Sequence, residues 1–288
     1  MPMLKQRVIT ALVLVGVLLP VLFYEDKLPF QIFSLILVCA ASWEWARLNG
    51  LQLFSAIGVS CFFFFSCLLI FHFGFSLNHF AHLWIYTSIF WLVVGLWLLR
   101  SGVDYWSGYS KFLRLGIGLI VLLVAWLAVA SSRVVGINFL VSCMALVWTA
   151  DITAYFIGRR WGCQFIKTKL APNISPGKTW EGAVGGLLGI LILAAIWINV
   201  DSWLQMDSNS LFTVVYQKST SSLVGACFVL AGFGVMGDLL ESLVKRSASV
   251  KDSSNLLPGH GGVLDRLDAL LPTMPLAMML YEACSFRV

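Results

Sequence analysis

The chain has 288 residues, 59% of them hydrophobic and only 11% charged, with a mean hydropathy of +0.89. Soluble domains carry about 45–50% apolar and about 25% charged residues, so a water-soluble globule is excluded: the polar groups needed to cover one are missing. The formal charge of +5 is modest, so the position of the charges carries more information than their sum, and no nucleic-acid partner is expected.

A bilayer core about 30 Å thick takes roughly 20 apolar residues per helix. Such runs occur at about residues 8–23, 28–46, 53–73, 81–99, 113–131, 135–157, 182–200, 221–243 and 267–284, which predicts an all-α polytopic fold of nine transmembrane helices. The first run is short and follows Lys5 and Arg7, as a signal peptide would. No small-x-small cleavage site follows it and further spans do, so it is read as a retained helix. Nine spans place the termini on opposite sides. Fifteen of the nineteen basic residues then fall on one side, leaving Lys27, Arg133, Lys218 and Arg287 on the other. The excess of Lys and Arg marks the cytoplasmic side, which puts the N-terminus and the two longest basic loops in the cytoplasm.

Six of the seven cysteines lie in apolar runs and read as small buried hydrophobes; Cys163 stands alone in a polar loop. No linker or internal repeat divides the chain. It reads as one unit with two parts: residues 1–134 as scaffold spans, and residues 135–288 carrying nearly all unusual polar clusters and hence a cytoplasm-facing site. Tyr105, Trp106 and Tyr109 fit interfacial aromatics.

Ionisable groups at or inside membrane helices are costly unless paired or hydrated, which makes each a functional candidate. In the second span, Glu44 and Arg47 stand at i, i+3 and are expected to form a structural ion pair. In the sixth, Asp151 and Tyr155 share a face, with Arg159 eight residues beyond Asp151 on nearly the same face. Packing and ligand binding are both open for that segment. Ser175, Pro176, Gly177, Lys178 and Thr179 are expected to form a turn ahead of the seventh span. There the helix amides favour an anion, Lys178 adds a charge, and Ser175 or Thr179 a hydroxyl donor. A simple helix-capping turn is the alternative.

The densest cluster runs from Gly237 to Asp268. Asp238, Glu241, Ser242 and Lys245 fall on one face of the eighth span. Asp265 and Asp268 open the ninth, and Arg246, Lys251 and Arg266 surround them. Aspartates from two helix ends suit a hard cation such as Mg²⁺, which also takes phosphate oxygens and water; the lysines and arginines suit a polyphosphate. Pro258, Gly259, Gly261 and Gly262, with His260 among them, would let the backbone approach a ligand closely.

At these residues the chain resembles the phosphatidate cytidylyltransferase (CDP-diacylglycerol synthase) family. The family's signature, S-x-x-K-R-x-x-x-x-K-D followed after a spacer by H-G-G-x-x-D-R-x-D, is met by Ser242, Lys245, Arg246, Lys251, Asp252, His260, Gly261, Gly262, Asp265, Arg266 and Asp268. The segments around Asp151 and Lys178 are also similar, so the likeness covers about residues 145–285. The resemblance implies transfer of CMP from CTP to phosphatidic acid at the cytoplasmic face of a membrane, giving CDP-diacylglycerol and pyrophosphate. It further implies Mg²⁺ held by Asp238 and Asp265 with Asp268 close by, a second, monovalent cation such as K⁺, and a homodimer. A bacterial inner membrane is the expected location, with membrane lipids as surroundings and source of substrate.

The phosphate of phosphatidate is already anionic near neutral pH, so it needs no protein nucleophile, and no Ser-His-Asp or Cys-His set stands out. Lys178, Lys245, Arg246, Lys251 and Arg266 are expected to share the triphosphate and lipid phosphate, with Arg159, Ser175, Ser242, His260, Gly261 and Gly262 as further contacts. Asp151, Tyr155 and Glu241 would support them. The alternatives are a CTP-dependent lipid kinase of the polyprenol type and a membrane transporter; the latter usually has broken helices and repeated halves.

Overall fold

A computed structural model describes residues 2–72, 81–204 and 206–285. Arg287 of the charge count and residue 73 of the third predicted span lie outside the described residues. The helices are α1 (Pro2–Phe23), α2 (Leu28–Leu48), α3 (Leu53–His72), α4 (Ala81–Phe90), α5 (Leu96–Gly108), α6 (Lys111–Val135), α7 (Ile137–Trp161), α8 (Trp180–Leu204), α9 (Leu211–Tyr216), α10 (Thr220–Ser247), α11 (Leu264–Leu267) and α12 (Leu270–Ser285). Strands β1 (Lys169–Ala171) and β2 (Ser175–Thr179) form one antiparallel hairpin between α7 and α8.

Among the described residues, eight helices are long and apolar enough to cross a membrane. A π-helical turn at Trp91–Gly95 joins α4 to α5, so the two run on as a single span. The ninth predicted span corresponds to α12, which has 16 residues and Pro275 inside it. At about 1.5 Å per residue it reaches about 24 Å, short of a full bilayer core. Its residues from Leu270 to Met278 are all buried, packed against α4, α6 and α10. By contrast α1 exposes Leu12, Val13 and Val15, and α3 exposes Phe54, Phe62 and Phe65. Helices satisfy their backbone groups internally, so such apolar sides are at ease in lipid.

Long-range hydrogen bonds fix which loops share an end of the bundle. Arg7 Nε donates to Gly259 O at 2.9 Å and Thr10 Oγ1 to Pro258 O at 2.9 Å, so the start of α1 lies beside the loop between α10 and α11. At the other end Arg133 Nη2 donates to Tyr24 O at 2.8 Å. There Asp207 accepts from the Ile137 amide at 2.7 Å, and Asp201 accepts from the side chains of Asn138 at 2.8 Å and Thr213 at 2.6 Å.

The tightest helix pair is α7 with α8. Gly182, Gly185, Gly186 and Gly189 line α8 where it meets Ala150, Thr153, Ala154, Ile157 and Gly158 of α7. A Cβ on Gly182 would lie 3.0 Å from the Ala154 carbonyl oxygen, and one on Gly185 2.7 Å from Ile157 Cβ. Small residues at such a seam let backbones approach closely, which is how helices gain packing energy in lipid. Gly185→Ala is therefore expected to destabilise the protein by about 1–3 kcal/mol through overpacking. Gly58→Ala on α3, where an added Cβ meets nothing within 4 Å, should leave stability unchanged or slightly raised by helix propensity. Thermal unfolding of the two variants in detergent checks the contrast.

Candidate active site at one end of the bundle

Helix α7 carries Asp151, Tyr155 and Arg159 at successive turns, and Arg159 Nη1 donates to Tyr155 Oη at 3.0 Å. All three line a cavity of about 360 Å³, together with Gly177, Lys178 and Thr179 of β2 and Asp238 of α10. The rest of its wall is apolar and small: Leu146, Val147 and Ala150 from α7, Ala183, Gly186 and Leu187 from α8, Leu230, Ala231 and Gly234 from α10. The cavity thus has a charged end and an apolar arm between three helices. At the charged end Lys178 Nζ sits 2.6 Å from Asp238 Oδ2.

The segment expected to turn ahead of the seventh span is instead the strand β2, paired with β1 so that Lys169 faces Thr179. Ser175 is at its far end and does not line the cavity. Thr179 Oγ1 accepts from the Gly182 amide at 3.1 Å and so caps α8, and Thr179 lines the cavity. Glu181, in the first turn of α8, accepts from the amides of Cys163, Phe165 and Ile166 and so ties the loop after α7 to the start of α8. Hydropathy alone gives no sign of this hairpin, since its pairing is between backbone groups.

The trio Asp238, Asp265 and Asp268 does not converge as expected. Among the described residues no three His, Cys, Asp or Glu side chains come close enough to hold a metal by themselves. Asp265 is taken up by the protein: Oδ1 pairs with Lys245 Nζ at 2.6 Å, while Oδ2 accepts from the amides of Gly262 at 2.7 Å and Ser253 at 3.0 Å. Burial opposes its ionisation, yet the hydrogen bonds from Lys245 and the Gly262 amide hold its carboxyl down at about 2. Lys245 also lies 2.5 Å from Glu241, so one ammonium joins two carboxylates.

Asp268 points elsewhere. It sits in the short link before α12, where burial and the charge of Asp238 push its carboxyl up to about 7. The Ala269 amide donates to Oδ1 at 2.7 Å. Gly237 makes the approach of α10 possible, because a Cβ there would lie 2.4 Å from Asp268 O. The electrostatic neighbours of Asp268 are Asp238, Asp151 and Lys178. Two groups therefore emerge from the sequence cluster: Asp151, Asp238, Asp268 and Lys178 near the cavity, and Glu241, Lys245 and Asp265 behind it.

The loop from Asp252 to Val263 joins these groups. Gly261 has φ +84° and Gly259 φ +78°, both in the region that favours glycine. At Gly262 a Cβ would fall 1.9 Å from Ser253 Oγ and 2.5 Å from Glu44 Oε1, so no side chain fits. Arg266 folds back, and its Nη2 donates to His260 O at 2.6 Å. Ser242 Oγ donates to Asp238 Oδ1 at 3.3 Å. Arg246 is exposed, with Nη1 3.5 Å from Val250 O, and Lys251 is exposed. Neither lines the cavity.

Glu44 corrects another expectation. Its carboxylate is fully buried, and Arg47 turns away to donate to Leu51 O at 2.9 Å. Oε1 accepts from Val263 N at 2.9 Å and from Ser254 Oγ; Oε2 accepts from Leu264 N at 2.6 Å and from Ser253 Oγ at 3.0 Å. The partners are more than 200 residues away, and amides rather than a neighbouring cation satisfy the charge. The signal missed was the polarity itself: a Glu inside an apolar run whose nearest cation reaches water.

The chain is 38% identical to the phosphatidate cytidylyltransferase of Pseudomonas aeruginosa over 288 residues, covering 98% of each chain. It is 33% identical to that of Haemophilus influenzae over 310 residues, covering 97% of this chain and 99% of the relative. The phosphatidate cytidylyltransferase of Bacillus subtilis is 40% identical over 140 residues, which are 49% of this chain and 46% of that one. The model of the cytidylyltransferase family matches residues 5–284, so the chain belongs to that family.

Proposed function

We propose that the protein transfers CMP from CTP to phosphatidic acid, forming CDP-diacylglycerol and pyrophosphate. The observation that carries the reading is the amphipathic cavity: one end presents Arg159, Lys178 and Asp238, and the other is an apolar arm between α7, α8 and α10. A lipid phosphate with acyl chains has the same polarity profile. The names of its relatives agree in substrate and reaction class.

The lipid phosphate oxygen attacks the α-phosphorus of CTP, a new P–O bond forms, and the bond from that phosphorus to the β-phosphate oxygen breaks to release pyrophosphate. Lys178 and Arg159 hold phosphate oxygens in line, and the hydroxyl of Tyr155 keeps Arg159 turned along the cavity wall. Arg246 and Lys251, exposed outside the cavity, draw the nucleotide from water. Arg266 keeps the His260 carbonyl and its turn in place.

The donor set fits Mg²⁺. Asp238 and Asp268 repel each other at the charged end, and Mg²⁺ commonly takes one or two carboxylates and completes its shell with water and substrate phosphates. Held by Asp238 and Asp268, with Asp151 close by, Mg²⁺ would neutralise charge developing on the triphosphate. Asp265 would act from behind by fixing Lys245 and the glycine loop. The site would face the cytoplasm of a bacterial inner membrane, where CTP is available and where fifteen of the nineteen basic residues would lie.

Purified protein in detergent should release pyrophosphate from CTP only when phosphatidate and Mg²⁺ are both present, with one CDP-diacylglycerol formed per pyrophosphate. Absence of lipid-dependent pyrophosphate sinks the reading. Two variants then separate the carboxylates. Asp238→Asn should lower kcat by about 10²–10³-fold with the melting temperature nearly unchanged, since the repulsion from Asp268 and the partly exposed pair with Lys178 are lost together. Asp265→Asn should lower activity and also cost about 1–3 kcal/mol of stability, because it takes one of two carboxylates from Lys245 and can turn an amide donor toward the Gly262 and Ser253 amides. Equal melting temperatures for the two would refute that division.

A further inference from the structure

Resting on the reaction proposed above, we infer that Glu44 of α2 is a positioning residue for the active site: it sets the loop that carries Asp265, Arg266 and Asp268. Four donors converge on its carboxylate, two backbone amides at the start of α11 and the hydroxyls of Ser253 and Ser254. No ion pair to Glu44 occurs among the described residues, and the carboxylate is fully buried. A buried carboxylate without a cation is costly unless donors surround it, so this geometry is specific to the loop conformation that supplies them.

The contact continues into the charged cluster. Ser253 Oγ lies 3.0 Å from Glu44 Oε2 and 3.0 Å from Asp265 Oδ2. Asp265 in turn holds Lys245. The chain Glu44, Ser253, Asp265, Lys245 thus links α2 to α10 through the loop. Gly262 completes the fit, since any side chain there would strike both Ser253 and Glu44. The other wall of the cavity, with Tyr155, Arg159 and Lys178, stands on α7, β2 and α8, and among the described residues it makes no hydrogen bond to Glu44, Ser253, Asp265 or Lys245.

That separation gives the role its signature. Displacing the loop should disturb the reacting phosphates more than the binding of CTP. Glu44→Gln replaces one acceptor oxygen by a donor facing donors. Its kcat should fall about 30–100-fold, with KM for CTP within about threefold. Amides from Ser253 to Leu264 should exchange hydrogen at least tenfold faster, with those of α7 and α8 unchanged. Because Glu44 and Ser253 share a hydrogen bond, the losses in the double variant Glu44→Gln/Ser253→Ala should not multiply. Should Glu44→Gln not yield folded protein, Ser254→Ala, which removes one donor, should lower kcat about 3- to 10-fold at constant KM. Wild-type kcat, unchanged exchange in the loop, or losses that multiply in the double variant would each overturn the inference. A wild-type protein inactive on CTP and phosphatidate sinks the proposed reaction instead, and the exchange comparison then decides the role of Glu44 by itself.

Discussion

Lys245 lies between Glu241 and Asp265 near the end of α10, and much of the site hangs on that one ammonium. In a largely apolar surrounding an isolated charge costs several kcal/mol, and a pair repays that cost only when its remaining lone pairs are also satisfied. Asp265 meets the condition through Gly262 and Ser253. The ammonium therefore does more than neutralise two acids. It fixes α11 against α10 and holds the glycine turn through Asp265, while Asp268 has the charge of Asp238 as its neighbour instead.

The α7–α8 seam supplies the opposite wall. Glycines on α8 bring the two backbones close, and the β1–β2 hairpin that connects the two helices holds Lys178 against Asp238. Stability and function share these residues: the small side chains that seal the helices together also leave the apolar arm open. A rigid seam on one side and a loop pinned by buried carboxylates on the other suit a reaction that relies on positioning two phosphates rather than on a protein nucleophile.

The legible part of the sequence was local in character. Apolar runs of helical length gave the spans, and i, i+4 spacing put Asp151, Tyr155 and Arg159 on one wall of the cavity. The motif from Ser242 to Asp268 marked the loop, but the same spacing suggested three converging aspartates, whereas α11 is only four residues long and its turn sends Asp265 and Asp268 to different partners. Glu44 was matched to the nearest cation in sequence; its true partners are donors 209 to 220 residues away. The hairpin from Lys169 to Thr179 offers no hydrophobic periodicity to read, because its strands are three and five residues long and mostly polar. The first part of the chain, expected as scaffold, thus reaches the site through α2.

Attack of the lipid phosphate on the α-phosphorus of CTP, proposed for the cavity between α7, α8 and α10, sends the two ends of the triphosphate to different products. Incubating the detergent-purified protein with phosphatidate, Mg²⁺ and CTP labelled at either the α- or the γ-phosphate tests this directly. Label should enter lipid from the α-position and leave as pyrophosphate from the γ-position. Lipid labelled from the γ-phosphate, with none from the α-phosphate, would rule out CMP transfer and identify a kinase.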